Sequence, residues 1–113
     1  MNKTYRDHID DILDAIQKIE EFSLGFTFDK FSIDYKTIYA VTRALEIIGE
    51  AANKFPPEIK AKYPSIPWSE MYGMRNKLIH DYSGVDVTVI WKTIKKDIPV
   101  LKTAIQQLAD NEE

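Results

Sequence analysis

Apolar residues recur at spacings of three and four along most of this chain, and that period is typical of α-helices buried on one face. In the first segment the pattern runs through four isoleucines, while aspartates fall on the opposite arc, so a buried face and an acidic face are expected. Thr4 is placed to cap this helix, with Asp7 three residues later as its capping-box partner. The apolar positions of the predicted first helix are Tyr5, Ile9, Ile12, Ile16 and Ile19.

Gly25 interrupts this pattern, and the aromatic-rich stretch 26–31 that follows is interpreted as an irregular, packed connector. A second helix is predicted from about residue 33 or 34. It should end before Pro56 and Pro57, because proline lacks a backbone donor and its predecessor avoids helical geometry. The apolar seam of this second helix consists of Ile38, Val41, Leu45, Ile48, Ala52 and Phe55.

Two further helices are predicted in the C-terminal half of the chain. The first is expected over about 68–79, with Pro67 in its first turn, where a missing backbone donor costs nothing. Asp86 is placed to cap the last helix, and Pro99 should kink or split that helix near residues 95–99. Together these patterns predict an all-α fold, an antiparallel bundle of four to five helices.

Composition is typical of one globular domain. The chain has 113 residues, of which 44% are hydrophobic and 29% charged, so a single domain spanning residues 1–113 is expected. It has no cysteine, which excludes disulfides and cysteine nucleophiles. No signal-peptide pattern and no run of about 20 apolar residues is found, so a cytoplasmic protein without membrane attachment is expected. The net charge of −3 argues against a general nucleic-acid packaging protein.

Residues 75–82 bring together three side chains suited to phosphate chemistry. Arg75 can clamp a phosphate with a rigid fork of donors at any pH. His80 can give or take a proton near neutral pH, and the hydroxyl of Tyr82 can bond to a phosphate or attack it. Such a set could cleave a phosphodiester without a metal ion or other cofactor. The same residues also fit a purely structural arrangement, with the arginine in a salt bridge and the tyrosine packed.

Arg75 and His80 are five residues apart, about 140° around an ideal helix, so they would not share a face. Either the helix unwinds near His80, or the two residues act on one substrate from different chains, as in a symmetric homodimer. On RNA, His80 would be the acid or base and Arg75 the phosphate clamp. Asn76 and Asp81 are assigned supporting roles, and Tyr82 could bond the phosphate or position His80.

Two other groups of polar residues have alternative interpretations. Glu46 and Glu50 are four residues apart on the second helix. They could form a functional carboxylate pair, or one could face solvent while the other pairs with Arg43 or Arg75. His8 lies beside the acidic face of the first helix, but the neighbouring carboxylates do not have the spacing of a known metal site, and no metal site is predicted.

Residues 73–82 resemble the signature of the HEPN superfamily, specifically its HepT-like branch, in which an arginine, four residues, a histidine, one residue and a tyrosine follow one another. Residues 45–52 resemble the second-helix segment of that family, and residues 66–73 resemble the run that leads into its motif. The resemblance covers nearly the whole chain. It implies an all-helical HEPN bundle, a homodimer with both motifs at the interface, and metal-independent ribonuclease activity.

By position in this motif, Arg75 and His80 match the catalytic pair. Tyr82 matches the tyrosine that a partner nucleotidyltransferase of the MNT type modifies with AMP. The resemblance therefore implies a type VII-like toxin–antitoxin module, in which a ribonuclease toxin is neutralised by its nucleotidyltransferase antitoxin. The alternative is a non-catalytic, nucleotide-binding partner of a minimal nucleotidyltransferase. The net negative charge favours this alternative, whereas the intact arginine, histidine and tyrosine favour the ribonuclease.

Overall fold

Long amphipathic helices make up most of the chain. The computed structural model describes residues 5–80 and 86–112, with the backbone alone for Ile79 and His80, and contains no β-strand within these ranges. A π-helical turn, Thr93–Asp97, joins the last two helices into one long stretch. In chain order the helices are α1 (Tyr5–Ser23), α2 (Phe28–Phe31), α3 (Tyr35–Asn53), α4 (Pro57–Lys62), α5 (Trp68–His80), α6 (Val87–Lys92) and α7 (Ile98–Asn111).

The predicted all-α fold is confirmed. Two of the helices begin at an aspartate, whose side chain is a favourable N-cap. Asp34 Oδ1 accepts a hydrogen bond from the backbone N–H of Thr37 at 3.1 Å, which fixes the start of α3. Asp86 Oδ1 accepts from the N–H of Thr88 at 2.8 Å, as predicted for the last helix. The predicted cap Thr4 lies outside the described residues.

The prediction that the stretch 26–31 is an irregular connector is wrong in part, because the stretch contains the single helical turn α2. Gly25, with φ of +79°, ends the preceding segment, and Thr27 caps α2 through its side chain. Phe31 is fully buried, and its ring centroid lies 5.1 Å from that of Trp91. This added turn gives six helical stretches in the described part of the chain, one more than the upper expectation.

Pro99 divides the last helix, as predicted. It cannot donate a backbone hydrogen bond, and its ring would clash with the carbonyl of Lys95 in a regular α-helix. The backbone responds with the π-helical turn 93–97, where the N–H of Ile98 donates to the carbonyl of Thr93. Helices α6 and α7 therefore form one unbroken helical stretch over residues 87–111.

Helix α3 is the centre of the bundle, with α1 packed on one side and α5 on the other. The buried residues have the spacings of three and four that were read from the sequence. None of the helices in the described ranges has both the length and the apolar composition that a membrane crossing requires. The largest fully buried side chains are Phe31, Ile9, Ile12, Ile16, Ile19, Leu78, Ile105, Leu108 and Val41.

Helices α3 and α5 come closest at Gly49. A Cβ placed on this residue would lie 2.2 Å from the Cβ of Arg75 and 2.6 Å from the backbone oxygen of Met71. Both distances are well inside van der Waals contact, and neither atom is the movable end of a side chain. Glycine at position 49 therefore permits α5 to pack directly on α3 next to the Cβ of Arg75.

We expect Gly49→Ala to lower the free energy of unfolding. Overpacking of this kind costs about 1–3 kcal/mol, which outweighs a gain of at most about 1 kcal/mol from the helix propensity of alanine. Gly73→Ala is the matched control, because a Cβ on Gly73 meets nothing within 4 Å, and it should raise the free energy of unfolding by about 0.5–1 kcal/mol. Urea unfolding followed by circular dichroism compares the two, and equal stabilities would contradict the packing argument.

Candidate functional site around Arg75

Helix α5 carries Arg75, Asn76 and, as its last residue, His80. The backbone is α-helical from Arg75 through His80, so the two predicted catalytic residues are about 140° apart around one continuous helix. Asp81 and Tyr82 lie outside the described residues, and their places in the site stay predictions. The geometry of the site can therefore be built from Arg75 and its neighbours.

The guanidinium of Arg75 is held by groups on two helices. Its Nη1 donates a hydrogen bond to Oδ1 of Asn76 at 2.9 Å, and its Nη2 lies 3.6 Å from Oε1 of Glu50 on α3. Its central carbon lies 5.8 Å from the ring centroid of Tyr72, within the range of a cation–π contact. These contacts fix the plane of the guanidinium while 24% of the side chain stays exposed.

The Nε of Arg75 is buried and has no hydrogen-bond acceptor among the described residues. A guanidinium has five N–H donors, and a buried donor without an acceptor costs about 1–3 kcal/mol. The arginine thus combines a fixed orientation with a buried Nε donor that none of the described residues satisfies. A fixed, partly exposed guanidinium suits a group that binds an anion such as a phosphate.

Glu50 lies between two arginines. Its Oε1 is 3.6 Å from Nη2 of Arg75 and 3.8 Å from Nη1 of Arg43, and Arg43 also donates to Oε2 of Glu46 at 3.2 Å. The predicted pairing with Arg43 or Arg75 is therefore found, and it involves both glutamates rather than one. The two contacts of Glu50 are longer than ordinary hydrogen bonds, so an incoming anion could replace this carboxylate at little cost.

Sequence reasoning missed Gly49 and Tyr72 as residues that position Arg75. Tyr72 precedes Arg75 by three residues on α5, which is a spacing that places side chains side by side on a helix. Gly49 interrupts an apolar seam, which signals a close approach of another backbone. Neither signal identifies its partner helix, because that requires the packing of α3 on α5.

Other candidate residues lie away from this site. His8 is buried in the core, with its ring centroid 6.1 Å from that of Phe55. On the last helical stretch, Lys102 pairs with Glu20 of α1 at 3.0 Å, and Lys95 lies over the ring of Trp91 at 4.7 Å. Across residues 5–80 and 86–112, no three histidine, aspartate or glutamate residues are grouped so that they could hold a metal ion.

Comparison with known proteins identifies the family. A family model described as ribonuclease HepT-like matches residues 12–108. A protein of Thermococcus cleftensis named "Probable ribonuclease HepT" is 52% identical over 108 residues, which are 96% of this chain and 98% of that protein. Two proteins named "Putative RNase" are also similar. The one from Caldanaerobacter subterraneus subsp. tengcongensis is 40% identical, covering 97% of this chain and 98% of its own length.

The second protein named "Putative RNase", from Methanocaldococcus jannaschii, is 43% identical over 87% of this chain and 81% of its own length. No solved structure matches the chain significantly. The family model covers most of the chain, and the relatives align over nearly their full lengths, which confirms the resemblance to the HepT-like branch of the HEPN superfamily. This chain therefore belongs to the HepT-like ribonuclease family.

Proposed function

We propose that this protein is a ribonuclease that cleaves RNA without a metal ion, with Arg75 and His80 as its catalytic pair. The observation that carries the proposal is the environment of Arg75, whose guanidinium is oriented by Asn76, Glu50 and Tyr72 yet remains accessible. The relatives are named as ribonucleases, and their family supports a nuclease acting on RNA.

The proposed reaction uses the ribose 2′-hydroxyl of the substrate as its nucleophile. The 2′-oxygen attacks phosphorus, the bond from phosphorus to the 5′-oxygen of the next nucleotide breaks, and a 2′,3′-cyclic phosphate and a 5′-hydroxyl are formed. One base removes the proton of the 2′-hydroxyl and one acid protonates the leaving 5′-oxygen, and His80 serves in one of these roles. Arg75 stabilises the negative charge that builds up on the phosphate oxygens.

The active unit that we propose is a homodimer. Because α5 remains helical through His80, positions 75 and 80 of one chain are about 140° apart around that helix. Two copies related by a two-fold axis can instead bring Arg75 of one chain to His80 of the other. Each dimer would then contain two composite sites.

We further propose that Tyr82 is the residue through which the enzyme is silenced, by an MNT-type nucleotidyltransferase antitoxin. The phenolic oxygen of Tyr82 would attack the α-phosphorus of ATP, release pyrophosphate and lose its proton to a base of the transferase. The product carries an anionic phosphodiester and a nucleoside close in sequence to Arg75. Such a group could occupy the phosphate site and exclude RNA.

A non-catalytic nucleotide-binding module is the alternative, favoured by the net charge of −3 and by the neutralisation of Arg75 by Glu50. In that case the motif would grip a nucleotide phosphate for a partner nucleotidyltransferase. The two functions differ in one result, since a binding module retains nucleotide affinity but releases no RNA fragments.

We expect Arg75→Ala and His80→Ala each to lower RNA cleavage by about 10²- to 10⁴-fold in excess EDTA, because each removes a group that acts in the transition state. Arg6→Ala is the control, since Arg6 lies on α1 and its Nη1 donates to the backbone of Ala109. Fragment formation and the 2′,3′-cyclic phosphate ends are measured on several RNAs. Unchanged cleavage by His80→Ala, or a requirement for a divalent ion, would contradict the proposed mechanism.

Mixing the Arg75→Ala and His80→Ala proteins tests the composite site. If each site takes Arg75 from one chain and His80 from the other, every mixed dimer has one intact site, and random exchange restores about a quarter of parental activity. Each variant alone stays inactive. If both residues act within one chain, the mixture stays as inactive as its components. Native mass spectrometry of the mixture, with one variant isotopically labelled, establishes that chains have exchanged.

We expect incubation with the nucleotidyltransferase and ATP to add AMP mass at Tyr82 and to abolish cleavage. Tyr82→Phe should neither gain mass nor lose activity on this treatment, because it lacks the attacking oxygen. Intact mass spectrometry and a cleavage assay on the same sample measure both effects. Full modification with undiminished cleavage would refute the silencing role.

A further inference from the structure

Next to Arg75, the exposed face of α3 contains a shallow depression of about 380 Å³. It is lined by Tyr39, Thr42, Arg43 and Glu46, which together are named the α3 subsite. We propose that the α3 subsite binds one nucleotide of single-stranded RNA adjacent to the phosphate that is cleaved. This inference rests on the proposed ribonuclease function and extends it from the scissile phosphate to the neighbouring nucleotide.

The α3 subsite is continuous with the Arg75 site. Arg43 of the subsite and Arg75 of α5 both contact the same oxygen of Glu50, at 3.8 and 3.6 Å. Two guanidinium groups that share one carboxylate oxygen lie close enough to reach groups on one substrate. A nucleotide next to a phosphate bound at Arg75 can therefore reach the α3 subsite.

The residues of this face follow the helical period. Positions 36, 39, 43, 46 and 50 fall within roughly 80° of one another around an ideal helix, so they form one stripe along α3. The stripe starts with an exposed lysine, Lys36, continues with a tyrosine and an arginine, and ends with two glutamates that pair with that arginine. An aromatic ring between cationic groups is the combination with which proteins bind single-stranded nucleic acids.

Tyr39 and Arg43 supply the groups that a nucleotide needs. Tyr39 is 60% exposed, so a face of its ring is accessible to a base, and stacking of this kind tolerates any base. The side chain of Arg43 is also 60% exposed, and its guanidinium can exchange Glu46 or Glu50 for a phosphate oxygen.

Thr42 forms the buried floor of the α3 subsite. Its side chain lines the depression and is only 3% exposed, yet its hydroxyl has no hydrogen-bond partner among the described residues. A buried threonine in a helix ordinarily bonds to a carbonyl of the preceding turn, and a buried polar group without a partner is uncommon. Because this hydroxyl has almost no exposed surface, Tyr39 and Arg43 remain the groups that can contact the nucleotide.

Tyr39→Ala tests the α3 subsite, with Tyr39→Phe as the variant that keeps the ring and Arg6→Ala as the distant control. On a single-stranded oligoribonucleotide with one cleavable linkage, we expect Tyr39→Ala to raise KM roughly 5- to 100-fold with a much smaller change in kcat, because stacking acts in binding. Tyr39→Phe should retain the parental KM. Arg43→Ala should also raise KM, and its effect should weaken at high salt.

An oligonucleotide with an abasic ribose next to the cleaved linkage, placed on the 5′ or the 3′ side, identifies the bound nucleotide. On the correct side, the parent and Tyr39→Ala should have the same KM, because the base that stacks is missing. An unchanged KM for Tyr39→Ala on all substrates would overturn the proposal. A changed oligomeric state with unchanged RNA affinity would also overturn it and would assign this face to a protein interface.

Binding measured by fluorescence anisotropy separates this inference from the proposed function. If the parent binds single-stranded RNA but does not cleave it, the catalytic proposal fails, and weaker binding by Tyr39→Ala still supports the α3 subsite. If the parent cleaves RNA and Tyr39→Ala binds and cleaves equally well, the catalytic proposal stands and the α3 subsite is rejected.

Discussion

The close contact between α3 and α5 at Gly49 is the constraint on which the candidate site depends. Because glycine has no side chain, the Cβ of Arg75 lies directly against the backbone of α3. The stem of the arginine is therefore confined by the bundle, and 24% of the side chain stays exposed. An arginine side chain carries about 2 kcal/mol of rotamer entropy, and here part of this entropy is lost on folding rather than on binding of a substrate.

Electrostatics adds a second constraint. Arg43 and Arg75 are each placed beside a carboxylate, in a chain with a net charge of −3. Exposed ion pairs contribute at most about 1 kcal/mol, so the glutamates orient the guanidinium groups without holding them tightly. At physiological salt, charges farther than about 8 Å are largely screened. The two arginines therefore determine the response to a bound phosphate more than the overall charge does.

Features that depend on a few neighbouring residues were predictable from the sequence. The helix start at Asp86 and the division before Pro99 follow from capping and from the missing backbone donor of proline. The turn α2 was not predictable, because four residues are too short to show a helical period. The motif indicated Arg75, but its contact with Gly49 joins positions 26 residues apart and depends on how two helices pack.

The need for glycine at position 49 comes from the packing of two helices and does not depend on the guanidinium of Arg75. The atoms that a side chain at position 49 would strike are the Cβ of residue 75 and a backbone oxygen, and any residue other than glycine at position 75 has that Cβ. A variant that replaces Arg75 with any other residue except glycine therefore still needs the glycine at position 49 to pack α5 on α3. Glycine at this position reflects the packing of the bundle, whereas the proposed chemistry depends on the arginine opposite it.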